Sequence, residues 1–302
     1  MKHDGSTFLS GCAVTTRFFF FAKENDAVAA EGSPNSSFFC FDEDDEETPY
    51  IQYDESVGWP AIAMATSKPA GAERIVVAIG PNGDYWEMAP LSTDEVVGKI
   101  DDFSGNLRAL GVVDGDIYAC GMNRVVLRRE GTGRWQSLGP GPRADDPDVV
   151  GFEDIGGFGK DEMYAVGWGG EIWWCASGVW RRVDSPTSTN LRALCCAPDG
   201  FVYVVGHAGT MLRGRRDQWA VIETERSENL MDVAWHDGVV YVVTNFRILK
   251  LVNGALVNDA DFADAADLPA TCLNLLQPPD GLISLGQKDV FRRSSGPWHR
   301  LV

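Results

Sequence analysis

Short apolar runs alternate with polar or glycine-bearing turns along almost the whole chain. None of the runs carries the period of an amphipathic helix. From residue 107 onward the pattern repeats visibly. LRALGVVDGDIYACGMNRVVLRREGTGRWQSL (107–138) matches LRALCCAPDGFVYVVGHAGTMLRGRRDQWAVI (191–222) element for element, and FEDIGGFGKDEMYAVGWGGEIWWCASGVWRRV (152–183) lies between them. Two further units follow at 230–257 and 272–302. Tyr118, Tyr164, Tyr203 and Tyr241 are spaced by 46, 39 and 38 residues, and Trp135, Trp180 and Trp219 by 45 and 39. Trp298 follows 79 residues later, with Leu256 in the skipped slot.

Each unit predicts four short strands. An LRAL-like strand leads into a hairpin turn with Asp-Gly at Asp114, Asp199, Asp237 and Asp280, a strong hairpin signal. A β-branched second strand ends at a glycine (Gly121, Gly167, Gly206). A third strand and a Trp-led fourth complete the unit. Four strands in about 40 residues predict a propeller blade. Residues 75–86 carry the second strand, glycine turn and third strand of another blade. The runs Phe18–Phe21, Phe38–Phe41 and Tyr50–Tyr53 predict a divergent first one. The expectation is an all-β, single-domain β-propeller over 1–302, with seven four-stranded blades, clear repeats from 70 and divergent ones over 1–69. Six blades plus an N-terminal arm is the alternative. The last unit runs to Val302, so no exchange of strands between the termini is evident.

On these glycine turns and Trp-led strands the units resemble the broad group of bacterial YVTN-like and BNR-like propellers. The resemblance covers residues 70–302 well and 1–69 poorly, and it implies the fold and not a function. The paired Gly-His and Trp-Asp of WD repeats do not recur, and the Asp box of BNR repeats is present only as fragments such as Ser177-Gly178-Val179-Trp180.

Composition narrows the chemistry. No apolar run approaches the ~20 residues of a membrane helix, and the N-terminus lacks a signal-peptide h-region, so a cytoplasmic, non-membrane protein is expected. Seven cysteines without a CxxC pair, several inside strand-like runs, predict reduced core thiols. The four histidines (His3, His207, His236, His299) fall at different repeat positions without metal-ligand spacing, so neither a metal nor a cofactor is expected. Gly156-Gly157-Phe158-Gly159-Lys160 lacks the spacing and the hydroxyl residue of a phosphate loop and reads as a hairpin. The acidic run 42–47 lacks the alternation of a calcium loop and reads as a turn between strands three and four.

The net charge of −18 argues against nucleic-acid binding and for a cationic partner. In a propeller the blade-to-blade loops share one face with the turns between strands two and three. Seventeen carboxylates are assigned to those loops: Asp94, Glu95, Asp101, Asp102, Asp145, Asp146, Asp148, Glu153, Asp154, Asp184, Glu223, Glu225, Glu228, Asp259, Asp261, Asp264 and Asp267, against Lys99, Arg143 and Arg226. Arginines such as Arg213, Arg215, Arg216, Arg292 and Arg293 are assigned to the opposite face, giving an electrically two-sided disc. The expected binding face combines Trp168, His207, Asn123 and Phe246 from the turns with Asp145, Asp146, Asp148, Glu223, Glu225, Asp261 and Asp264 from the loops. This composition suits a non-enzymatic protein, monomeric when free, that captures a basic protein. By analogy it suits an immunity protein that neutralises a bacterial toxin or effector. The alternative is a hydrolase or lyase working through pocket carboxylates.

Overall fold

Each predicted repeat becomes one antiparallel sheet of four strands, in sequence order from the centre outward. The computed structural model describes residues 5–68, 71–141 and 150–302, and places seven such blades in a ring. The innermost strands are β1 (Ser6–Ala13), β5 (Ala63–Ser67), β9 (Leu107–Val113), β13 (Phe152–Gly159), β17 (Leu191–Cys196), β21 (Leu230–His236) and β25 (Asn274–Leu276). Among the described residues helix is confined to α1 (Asp26–Ala30) and two short 3-10 turns. The seven-blade expectation therefore holds and the six-blade alternative does not.

The four tyrosines sit at matching places on second strands, paired with Arg128, Trp174, Arg213 and Lys250 of the third strands. Trp135, Trp180 and Trp219 lie on fourth strands, as the spacing predicts. Trp298 departs slightly: it precedes the fourth strand β28 (His299–Arg300) and bridges to Phe262 of the preceding loop. Its buried indole N–H donates to Asp259.

A blade in a propeller is covered on both faces, so its second strand runs apolar at consecutive positions. The Phe18–Phe21 run on β2 (Phe18–Asn25) shows why. Phe18 and Phe20 point into the core shared with the second blade, against Phe38, Tyr53 and Trp86. Phe19 and Phe21 point the other way, into the core shared with the seventh. All seven cysteines are unpaired; six are buried and Cys196 is half-buried, and burial pushes the Cys12 and Cys272 thiols up to about 12.

The ring closes without sharing a strand. The last blade runs from β25 to β28 and the first from β1 to β4 (Tyr50–Val57), each complete in itself. Between them Phe8 N–H donates to Gln287 O, and Lys288 reaches Ser6 O, Thr7 and Asp26. Arg292, almost fully enclosed, binds Glu43, Asp280 and the carbonyl of Thr16.

Candidate functional site

The residues that display the expected face are positioned by a glycine. At the end of the second strand, Gly121, Gly167, Gly206 and Gly286 each lie so close to the carbonyl before a first strand (Asn106, Gly151, Asn190, Thr271) that a Cβ would collide with it. This close approach lets the following amide bond the same loop: Met122 N–H donates to Asn106 O, Trp168 N–H to Gly151 O and His207 N–H to Asn190 O. The turn is then held from the next blade. Asn190 accepts the amide of Gly169, and Asn229 that of Ala208, each of these amides belonging to a residue with positive φ. These asparagines precede LRAL-like strands, and the recurrence of Asn before Leu at 106, 190 and 229 is a signal the sequence reading passed over.

Adjacent turns are also locked together. Arg124, in the turn that carries Asn123, makes a bidentate pair with Glu171, in the turn that carries Trp168, at 2.8 and 2.7 Å. Both side chains are enclosed, and Trp173 donates its indole N–H to the same carboxylate.

The expected anchors are displayed unequally. Phe246 is 68% exposed and Trp168 37%, while Asn123 is exposed and His207 half-buried. Trp168 is fixed through its ring nitrogen. Its indole N–H donates to Glu153 on β13, within its own blade, and Arg108 on β9 grips the same oxygen at 3.2 Å.

Of the carboxylates, Glu223 and Glu225 are exposed in the loop before β21. Asp264 is exposed and accepts the amide of Ala266, whereas Asp261 is paired with Arg293 at 3.0 Å. Asp145, Asp146 and Asp148 lie outside the described residues. Several loop assignments need correction. Asp94 and Glu95 fall between the third and fourth strands of the second blade, because its fourth strand is Val96–Lys99; Glu95 accepts the indole N–H of Trp86 there. Glu153 and Asp154 lie on β13, and Asp259 is buried among Lys250, Arg293 and Trp298.

The arginines do not form a free basic face either. Most lie on strands rather than in turns, where their guanidinium groups bind carboxylates, commonly across a blade boundary: Arg129 binds Glu87, Arg215 binds Glu162, and Arg292 binds Glu43 besides Asp280 of its own blade. The Arg215 guanidinium holds the Glu162 carboxyl down at about 2.

At the centre, each blade lines the channel with one side chain on or just before its first strand. In ring order these are Leu9, Ile62, Arg108, Glu153, Arg192, Met231 and Leu273. The mouth is thus divided into an apolar side (blades six, seven, one and two) and a charged side (three, four and five). One residue deeper, Asp154 and Asp232 each bridge to the next first strand. Asp154 accepts the amides of Ile155 and Leu194, and Asp232 those of Val233 and Leu275. Ser10 does the same job in the first blade by donating to Ala61 O. Enclosure by protein pushes the Asp154 carboxyl up to about 7 and that of Asp232 to about 6. Both oxygens of each are engaged by backbone N–H groups, an arrangement that staples strands. Among the described residues no group of three or more His, Cys, Asp or Glu is placed to hold a metal ion, and no helix is long and apolar enough to cross a membrane.

No protein-family model matches the chain. A curated protein, the immune protein Tsi7 of Pseudomonas aeruginosa (strain PAO1), is 38% identical over 262 residues, which span 86% of this chain and 82% of that protein. Among solved structures, YCF48 bound to D1 peptide aligns over 96% of this chain and 93% of that one, with a TM-score of 0.68 and 15% identity. The WD40 β-propeller domain of Doa1 aligns over 99% and 93%, with a TM-score of 0.67 and 13% identity. At such identities the two solved structures speak for the propeller fold alone.

Proposed function

The chain belongs to the family of the immune protein Tsi7, and we propose from this that it is itself an immunity protein, a non-enzymatic propeller that binds and neutralises a toxin. The kinship at 38% identity over most of both chains carries the reading. The bound protein is a basic one, because the chain has a net charge of −18 and its exposed loop carboxylates would steer a cation toward it. Contact is through the face that displays Trp168, Phe246, Asn123 and His207, flanked by Glu223, Glu225 and Asp264. Asp145, Asp146, Asp148 and the paired Asp261 are proposed as further acidic contacts for the partner. Trp168 supports this choice: a rigid aromatic, fixed by Glu153 and Arg108 and still partly exposed, is what a binding anchor requires. The chain acts in the cytoplasm as a monomer until its partner arrives.

Asp154 and Asp232 support binding over catalysis, because each carboxylate already has a structural role in joining two first strands through backbone amides. The test is growth rescue. The protein encoded beside this chain is expressed alone and with it in a heterologous host. Growth arrest by the neighbour, relieved by this chain, together with a one-to-one complex on size exclusion, is the expected result. A neighbour that is harmless, or toxic regardless of this chain, overturns the reading.

A further inference from the structure

We propose that the mouth of the central channel is a docking pocket for one protruding loop of the partner, a loop that carries an Asp or Glu side chain beside an apolar one. This deepens the immunity reading and rests on it. The mouth has an unusual composition for so acidic a protein. Two arginines, Arg108 and Arg192, line it with three carboxylates, Glu153, Asp154 and Asp232, and the two aspartates are taken up by backbone amides. Arg108 shares Glu153 with the Trp168 indole. Arg192 is exposed and has no ion pair among the described residues, while Asp232, which lines the same pocket, is turned to backbone amides. Across the channel, half-buried Leu9, Ile62, Met231 and Leu273 form a continuous apolar wall. The second tier includes Ala63, Ala109 and Ala193, whose small side chains leave space below the rim for an inserted group.

Charge complementarity selects the guest. A lysine or arginine entering here finds Glu153 taken by Arg108 and both aspartates taken by backbone amides, whereas a carboxylate gains the unpaired guanidinium of Arg192 as a bidentate partner. The apolar wall, a channel's width away, takes the neighbouring side chain. A partner that fits both the acidic loops and this centre is basic at its periphery and acidic at one projecting point. That pattern would reject generic cationic proteins and so give specificity to a strongly acidic binder.

The test uses the intact isolated protein and four blocked peptides: acetyl-Gly-Leu-Glu-Gly-amide, its Gln and Lys counterparts, and acetyl-Gly-Leu with a free carboxylate. The readout is the indole N–H resonance of Trp168, identified by its loss in Trp168→Phe, because that N–H sits on Glu153. The Glu peptide should shift it saturably with a dissociation constant of about 1 mM, roughly tenfold tighter than the Gln or Lys peptide. Arg192→Gln, an exposed change that should leave the melting midpoint unaltered, should remove that tenfold preference. The proposal is overturned if the Lys peptide binds as well as the Glu peptide, if no peptide gives a saturable shift, or if Arg192→Gln has no effect. Tighter binding of acetyl-Gly-Leu than of the Glu peptide would also overturn it, by giving the pocket to a chain end. No toxin enters these titrations, so their failure leaves growth rescue untouched, and failed rescue leaves the peptide result standing.

Discussion

Arg124 and Glu171 belong to turns on different blades, yet they meet in a fully enclosed bidentate pair beneath the face that displays Asn123 and Trp168. Breaking one side of such a pair strands a buried charge and costs about 3–5 kcal/mol. Arg124→Met should therefore lower the urea midpoint strongly. The double change Arg124→Met with Glu171→Leu should recover much of the loss, because the stranded carboxylate is gone. A double change no more stable than the single one would show that the pair sets turn geometry and not only charge balance.

Asp154 and Asp232 hold their protons more tightly in the ring than in the unfolded chain, where an aspartate ionises near 3.9. Between about pH 4 and 7 the native state thus binds more protons than the unfolded one, so the contribution of these groups to stability falls as pH rises. Asp154→Asn with Asp232→Asn removes that dependence. The melting midpoint of the variant, relative to wild type, should rise by roughly 2–5 °C between pH 5 and pH 8. A constant difference across that range would mean that the channel solvates both carboxylates fully.

The seam between the last and first blades depends on Arg292, which binds Glu43, Asp280 and Thr16 O from an almost fully buried position. Arg292→Ala should cost about 2–4 kcal/mol in chemical unfolding. Arg300→Ala, which breaks a half-exposed pair with Asp267, should cost no more than about 1 kcal/mol. Equal losses would place the strength of the seam in its apolar core of Phe8, Phe19 and Ile283 instead.

Once the partner is in hand, charge and anchor should separate in the kinetics. Reversal of Glu223 and Glu225 to Lys should slow association and flatten its salt dependence, since long-range attraction between exposed charges is screened within ~10 Å at 0.1 M salt. Trp168→Ala should instead raise the dissociation rate, by about tenfold or more for an anchor of at least 1.4 kcal/mol. Surface plasmon resonance at two salt concentrations checks both. Unchanged binding in both variants, with loss on reversal of Arg213, Arg215 and Arg216, would assign binding to the opposite face.

The candidate site was legible only in outline. The turns with Asn123, Trp168, His207 and Phe246 could be placed from the repeat, because a glycine ends the second strand in most units. The charge map was less accurate. Asp94 and Glu95 were assigned to the wrong face because the second blade's fourth strand, Val96–Lys99, has no leading Trp to mark it. Asp261 and the arginines were assigned as free because an ion pair between residues 32 or 53 positions apart, such as Asp261 with Arg293 or Glu162 with Arg215, leaves no local trace in a sequence. Arg108, Glu153 and Arg192 were passed over as members of a set, since only the ring brings equivalent positions of three repeats to one rim.

The sequence by itself determined the blade, and set its number at seven with six left open. Alternating apolar runs, Asp-Gly hairpins and the Tyr and Trp spacing are local signals, and each blade is a local meander whose strands pair with their sequence neighbours. Closure was decided elsewhere. With no strand shared, the ring is held by Phe8 against Ile283 and Leu285 and by Lys288 and Arg292 reaching back some 250 residues or more. Such contacts form only after the blades have assembled. The same holds for the split mouth of the channel and the raised carboxyls below it. Their neighbours, and hence their charge and solvation, exist only in the closed ring.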